Sequence, residues 1–421
     1  MAQSTSMSPS AATARHNLRL VRVQGADDAR RILGELGTDP GGAAIMSHKM
    51  VCASVAVSKV QARASHIIKQ IMLSKGGDCA TPRNVFLLDG KELVDVILIG
   101  TERQLADAAK SLAAQPFGCK ALAAELKQFV AGGLPGAAGT RTLRAGDYQL
   151  PLGGRTLVMG IVNVTPDSFS DGGEFMSFEA ARLRALEMVA AGVDIIDIGG
   201  ESTRPGADAV SLSEEERRTI PLIEAIASEA RIPISIDTYK SEIAAKALDA
   251  GACMVNDVSA LRLDDRMASL VAEREAPVIL MHMQGMPRDM QENPTYGDVV
   301  ADISEFLIER AQYAAGQGIS PERVLIDPGV GFGKTVEHNL EIIRRLDEFA
   351  SLGYPLVLGT SRKRFIGSVT GRVVTERMMG TAASVAFSIA RGVDVVRVHD
   401  VAEMLEVVKV ADAIAGKERP Q

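Results

Sequence analysis

The reading of this chain turns on residues 157–173, LVMGIVNVTPDSFSDGG. The apolar run at 157–162 is long enough for a buried strand and too short for a helix, and it ends at Asn163 in a stretch of Thr, Pro, Asp, Ser and Gly. A strand therefore delivers a polar loop. Asn163 can offer an amide oxygen to a hard cation, Asp167 and Asp171 add carboxylates, and the glycines let the loop fold over a ligand. Composition alone fits a surface hairpin equally well. The next strand, at 194–199, favours chemistry, because it too ends in a long Gly/Pro-punctuated loop, GGESTRPGA at 199–207.

At 421 residues the chain exceeds the size at which one core usually stops growing, so two domains are expected. Apolar residues at 46% and charged residues at 24% suit a globular protein. A net charge of -7 and the lack of a Lys/Arg tract leave no basic field for nucleic acid. The four cysteines, Cys52, Cys79, Cys119 and Cys253, share no CxxC spacing, which points to reduced, mostly buried thiols and a cytoplasmic location. No apolar run approaches the ~18 residues of a membrane span. Residues 1–16, rich in Ser and Ala and free of acids, read as a disordered tail.

Residues 17–130 read as a small α/β domain, with strand-like runs at 18–24, 51–57, 84–88 and 94–100 and helix-like runs at 26–36, 60–73 and onward from Glu102 and Lys120. They hold no phosphate loop, metal-ligand spacing or paired catalytic carboxylates, and His48 and His66 stand isolated in the sequence, so a structural or interaction role is expected. Residues 131–154 are Gly/Pro/Ala-rich without periodicity and read as a linker. From residue 155 the pattern changes. Apolar runs at 157–162, 195–198, 234–236, 254–255, 278–281, 324–326, 356–358 and 395–398 alternate with amphipathic helices such as 178–192 and 302–318. Eight βα units fit a TIM (β/α)8 barrel better than an open doubly wound sheet, although periodicity alone leaves both open.

In a barrel, the residues just after each strand converge at one mouth. Here they are Asn163, Thr203 with Arg204, Asp237, Asn256, His282, Asp327, Lys363, Arg397 and His399. Asp237, Asn256 and Asp327 supply acceptors and an amide suited to the donor and acceptor edge of a planar heterocycle, and Lys363 a donor beside them. Arg204, Arg397 and His399, with Asn163 and Thr203, form a second cluster suited to a pyrophosphate. The GFGKT at 331–335 resembles a phosphate loop but has Pro328 where that pattern needs Gly, so it reads as the turn and helix start after the sixth strand.

Seven motifs, NVTPDSFSDGG, GGESTRPGA, ISIDT, VNDVS, DPGVGFGK, TSRKRFIG and RVHDV, occur in the order found in the dihydropteroate synthase family. The chain resembles that family over residues 155–415. The resemblance implies a TIM barrel that joins a pterin diphosphate to 4-aminobenzoate. It implies pterin contacts from Asp237, Asn256, Asp327 and Lys363, and catalytic parts for Asn163, Asp167, Asp171, Lys363, Arg397 and His399. Mg²⁺ is expected on Asn163 and Asp171, since that ion takes few protein ligands. Ser361 and Arg364, at a helix start, would meet the 4-aminobenzoate carboxylate, and Phe169 and Pro205 would wall its slot. Arg364 stands where family members often have Ser, leaving open whether it pairs with the carboxylate or points to solvent. The family also implies sulfonamide inhibition and a homodimer. Two rival activities share features with this site: a pterin-binding methyltransferase barrel, which needs no Arg/His pocket, and a Schiff-base aldolase with Lys363 as nucleophile.

Overall fold

The computed structural model describes residues 19–23, 25–131, 140–164, 173–202, 209–286 and 288–417. They divide into two compact units, 1–130 and 131–421.

The first unit runs α1 (Ala26–Glu35), α2 (Pro40–Met50), β1 (Cys52–Gln61), α3 (Ala62–Ser74), β2 (Asp78–Ala80), β3 (Leu93–Thr101), α4 (Glu102–Leu112) and α5 (Cys119–Ala131). Its antiparallel sheet has the order β1-β3-β2. Ile68 and Met72 of α3, Leu105 and Leu112 of α4 and Val96 and Leu98 of β3 are buried. Two expected strands are not strands. Residues 19–23 carry no regular element, and the apolar run at 84–88 forms only a 3-10 turn, Val85–Leu87, with Phe86 and Leu87 exposed. Both edges of β3 are already taken by β1 and β2, so this run pairs with no strand. Helix α2 was not foreseen: Pro40 opens it and Asp39 caps it by accepting from the Gly42 N–H at 2.8 Å.

The second unit opens with a hairpin, β4 (Arg141–Ala145) and β5 (Tyr148–Leu152), turning at Gly146 with φ +55°. The expected linker thus carries structure. Then come β6 (Leu157–Asn163), α6 (Gly173–Ala191), β7 (Ile195–Gly199), α7 (Leu212–Glu229), β8 (Ile234–Asp237), α8 (Ser241–Asp249), β9 (Met254–Asp257), α9 (Met267–Glu273) and β10 (Val278–Met281). The chain continues through α10 (Val299–Gly316), β11 (Val324–Asp327), α11 (Val336–Arg344), α12 (Leu346–Ala350), β12 (Val357–Leu358), α13 (Arg364–Thr370), α14 (Met378–Ile389), β13 (Val395–Val398) and α15 (Val401–Ile414). The eight strands β6 to β13 are parallel in the order β11-β10-β9-β8-β7-β6-β13-β12, and a parallel bridge from Ile326 to Leu356 joins the two ends. This is the TIM barrel that the sequence pattern favours.

Alternation along the strands fixes what lies inside. Val158, Ile196, Ile234, Val255, Val278, Val324 and Val396 pack with helix residues such as Ala181, Leu222 and Ile303. Their neighbours Leu157, Met159, Ile195, Met254, Ile279, Leu325, Val357 and Val395 point inward and form an apolar floor with Leu143, Ala145, Leu150 and Leu152 of the hairpin. The hairpin therefore caps the barrel's N-terminal end. Its strands alternate apolar and polar at 143/145 and 150/152, a signal diluted by the glycines and prolines around it.

A fragment beginning at residue 140 is expected to unfold cooperatively in urea. Beginning at residue 155 should lower the urea midpoint, because the floor loses the three buried leucines that cover it. Equal midpoints for the two fragments would show that the hairpin is an ornament on the barrel.

Candidate active site at the barrel mouth

The inward tier above the floor is polar. Asp197, Asp237, Asn256, Asp327 and Arg397 each stand two residues beyond a floor residue or beyond Ser235, so strand parity aims them into the mouth. With Val258, Met281, Gly329, Val330, Phe332, Gly359 and Lys363, all but Asp197 line one pocket.

Arg397 organises this tier. Its guanidinium donates to Asp197 Oδ2 at 2.6 Å and to Asp237 Oδ2 at 2.5 Å. Asn256 Nδ2 also donates to Asp197 Oδ2, at 3.3 Å. One cation is shared by two carboxylates. Burial therefore pushes the Asp237 carboxyl up to about 7, opposed by Arg397 and reinforced by Asp197. Asp197 is fully buried, and its Oδ1, like Ser235 Oγ beside it in register, has no hydrogen-bond partner among the described residues. Asp327 accepts the Gly329 N–H on Oδ1 at 2.7 Å, and burial raises its carboxyl above the usual range.

Lys363 supplies the second cation. Its ammonium lies 4.1 Å from the Phe332 ring centroid and has no hydrogen-bond acceptor among the described residues. Burial draws it down to about 8, opposed by Asp327 and reinforced by Arg397. Gly331 makes room for it: with φ +87°, a Cβ there would sit 3.1 Å from Lys363 Cδ. The preceding turn is held under strain. Arg362 adopts φ +56° and is kept there by an ion pair with Asp400, by Thr381 Oγ1 accepting its N–H at 3.0 Å and by Arg377 donating to its carbonyl at 3.0 Å.

His399 follows Arg397 on the same face. Ser361 Oγ accepts the His399 N–H at 3.1 Å and lies 3.0 Å from Nδ1, which orients the ring. Burial, then Arg397 and Arg362, draws this imidazole down to about 3, so it donates as a neutral ring. Asn163 ends β6 opposite Gly199, its Oδ1 3.5 Å from where a Gly199 Cβ would sit, with Asp237 Oδ2 3.7 Å from the same point.

The structure thus brings Asn163, Asp237, Asn256, Asp327, Lys363, Arg397 and His399 to the mouth, with Ser361 bonded to His399. One expectation changes. His282 points away from the mouth, its ring against Phe306 at 4.8 Å, because it follows inward Met281 by one residue. Arg397 stands in the carboxylate tier, its guanidinium held by Asp197 and Asp237. Arg364 is exposed at the first position of α13. Asp167, Phe169, Asp171, Thr203, Arg204 and Pro205 lie outside the described residues. Asp197 was missed; its signal was a carboxylate at an inward position within the apolar run 195–198. The GFGKT segment is a turn and helix start, with Thr335 capping α11. Among the described residues no group of three or more His, Cys, Asp or Glu is placed to hold a metal.

The model of the pterin binding enzyme family matches residues 159–399. The dihydropteroate synthase of Synechocystis sp. is 49% identical over 273 residues, covering 65% of this chain and 94% of that protein. A probable bifunctional folylpolyglutamate synthase/dihydropteroate synthase of Haloferax volcanii is 41% identical over 391 residues, 91% of this chain, and the chain spans about half, 46%, of its length. That match is longer than the barrel unit, so similarity extends into the first 130 residues, which the motif resemblance did not reach. The solved structure of Xanthomonas albilineans dihydropteroate synthase with 4-aminobenzoic acid superposes with a TM-score of 0.62 at 45% identity, over 66% of this chain and 98% of that one. The methyltransferase and aldolase readings find no such relatives among these. The chain belongs to the pterin-binding enzyme family, as one of its dihydropteroate synthases.

Proposed function

We propose that the mouth pocket holds the dihydropterin ring while the amine of 4-aminobenzoate displaces pyrophosphate from (7,8-dihydropterin-6-yl)methyl diphosphate, giving 7,8-dihydropteroate. The observation that carries this assignment is the tier of Asp237, Asn256 and Asp327 beneath an ammonium with no acceptor of its own. Asp237, Asn256 and Asp327 meet the ring's N–H and amino edge, and Lys363 donates to its carbonyl or N5. The carbon–oxygen bond to the diphosphate breaks as the carbon–nitrogen bond forms, and the amine then loses its proton. The electron-rich dihydropterin shares the positive charge left on its methylene, so the site works by positioning and electrostatics rather than by a strong base.

His399 and Asn163 receive the departing pyrophosphate, together with Thr203 and Arg204. Asp167 and Asp171 act from the loop after β6, and Phe169 and Pro205 wall the 4-aminobenzoate slot. The α13 start, with Ser361 and Arg364, faces its carboxylate. Mg²⁺ fits the amide oxygen of Asn163 with a carboxylate such as Asp171, because it keeps most of its shell for water and phosphate and would neutralise the leaving group. We also assign a cytoplasmic homodimer: the four cysteines are free thiols, as in a reducing compartment, and Met379, Ala383 and Phe387 form one exposed stripe on α14.

The purified enzyme should form dihydropteroate and release pyrophosphate only with both substrates present, and arylsulfonamides should compete with 4-aminobenzoate and not with the pterin diphosphate. Pyrophosphate release independent of the arylamine would remove this reading.

Arg397→Ala should weaken a dihydropterin lacking phosphates and the diphosphate substrate alike, by about 10- to 150-fold, the ~1.5 to 3 kcal/mol of a charge-assisted contact. His399→Ala should weaken only the diphosphate. Calorimetric titration of both ligands on both variants separates the two roles; a phosphate-selective loss in Arg397→Ala would move that side chain to the leaving-group pocket.

The Lys363 ammonium is present below about 8 and lost above it. Dihydropterin affinity should therefore fall as pH rises through about 8, and Lys363→Arg should move that limb out of reach, since a guanidinium stays charged to a pKa above ~12. An alkaline limb unmoved in Lys363→Arg would assign the titration elsewhere.

A further inference from the structure

One buried lysine takes no part in the chemistry above. Lys334 is 3% exposed and sits on the loop between β11 and α11. Its Nζ donates to the Phe332 carbonyl at 2.9 Å and to the His282 carbonyl at 3.4 Å and lies 2.9 Å from His282 Nδ1. It thereby ties the end of β10 to the loop that follows β11.

The rest of that loop is bound just as closely. Asn339 Oδ1 accepts the Gly331 N–H at 2.7 Å, Gln291 Nε2 donates to the Gly331 carbonyl at 2.7 Å, and the Tyr296 hydroxyl donates to the Gly333 carbonyl at 2.7 Å. A Cβ on Gly329 would lie 2.0 Å from the His282 carbonyl oxygen, so this loop and the β10 end are in direct backbone contact. What the assembly presents to the pocket is the Phe332 ring, 8% exposed, under the Lys363 ammonium at 4.1 Å.

We infer that Lys334 is a positioning residue for the ring pocket: by holding the His282 and Phe332 carbonyls it sets the Phe332 ring, and the ring sets where the Lys363 ammonium meets the bound heterocycle. An amide or a hydroxyl could tie two carbonyls, but here one atom on a long apolar stem reaches the Phe332 carbonyl, the His282 carbonyl and the His282 ring together. Burial pulls this amine well below its ordinary range, with Asp327 opposing and Lys363 reinforcing, so Lys334 serves the loop as a buried hydrogen-bonding amine and leaves the cationic role to Lys363.

The inference rests on the pocket being the pterin slot, and the experiment separates the two. Lys334→Met keeps length and apolar bulk while removing the donor; Phe332→Leu keeps the apolar wall and removes the ring. Each is combined with Lys363→Ala in a double-mutant cycle read by calorimetric binding of 6-hydroxymethyl-7,8-dihydropterin, with 4-aminobenzoate KM as the control. Lys334→Met should weaken the pterin about tenfold, leave the 4-aminobenzoate KM unchanged, and add nothing once Lys363 is alanine. Losses that multiply in the double variant, or a folded Lys334→Met that binds the pterin normally, would overturn the positioning role while leaving the pocket assignment intact. If Lys363→Ala itself binds the pterin normally, the pocket assignment falls. Should Lys334→Met fail to fold, the Phe332→Leu cycle decides alone: non-additivity with Lys363→Ala supports the inference and additivity overturns it.

Discussion

A guanidinium held between two buried carboxylates is the constraint from which the mouth of this barrel follows. Asp197 and Asp237 project inward from adjacent strands, where desolvating a carboxylate costs several kcal/mol unless a cation meets it. Arg397, arriving from the last strand, meets both, and in doing so links β13 to β7 and β8 across the barrel mouth. The apolar floor below excludes water from this cluster, and the hairpin β4–β5 closes that floor. The chemistry at the top therefore depends on packing at the bottom.

Much of this was legible because parallel strands buried on both faces read as apolar runs, and each run here stops at a residue that cannot be core. Asn163, Asp237, Asn256, Asp327 and Arg397 were found in that way. Whether a strand-end residue faces the mouth or the helices is a matter of parity. Met281 lines the pocket, so His282, one residue later, faces α10; Val395 lies in the floor, so Arg397, two residues later, faces the mouth. Convergence at strand ends without that count placed His282 wrongly. The count also exposes Asp197, which looks like an interruption of an apolar strand until its register with Ser235 is known.

What stayed hidden depended on contacts distant in sequence. Residues 141–152 have the composition of a linker and become a hairpin only against the barrel floor, since a two-stranded hairpin is marginal without a surface to cover. In the first unit the run at 84–88 has strand propensity but no free edge beside β3, whereas α2 carried a readable start in Asp39 and Pro40 that its glycines obscured. Lys334 likewise reads as part of a phosphate-loop lookalike, and its value emerges only when β10 and β11 lie side by side.

The charge inventory of the pocket bears on how the reaction proceeds. Three carboxyl groups, Asp197, Asp237 and Asp327, face two basic side chains, Arg397 and Lys363, so oxygen acceptors crowd the tier. On the proposed reading such a tier holds the ring at the centre, where a developing cation is favoured, and leaves the diphosphate to the rim beside His399. When the carbon–oxygen bond breaks, negative charge moves outward with the leaving group and positive charge develops on the ring-bearing side. Both movements run down the field that the carboxylates create. A nucleophile attacking a neutral centre would draw no benefit from that arrangement, whereas an ionising path uses all of it, and a neutral arylamine then needs orientation more than it needs a base.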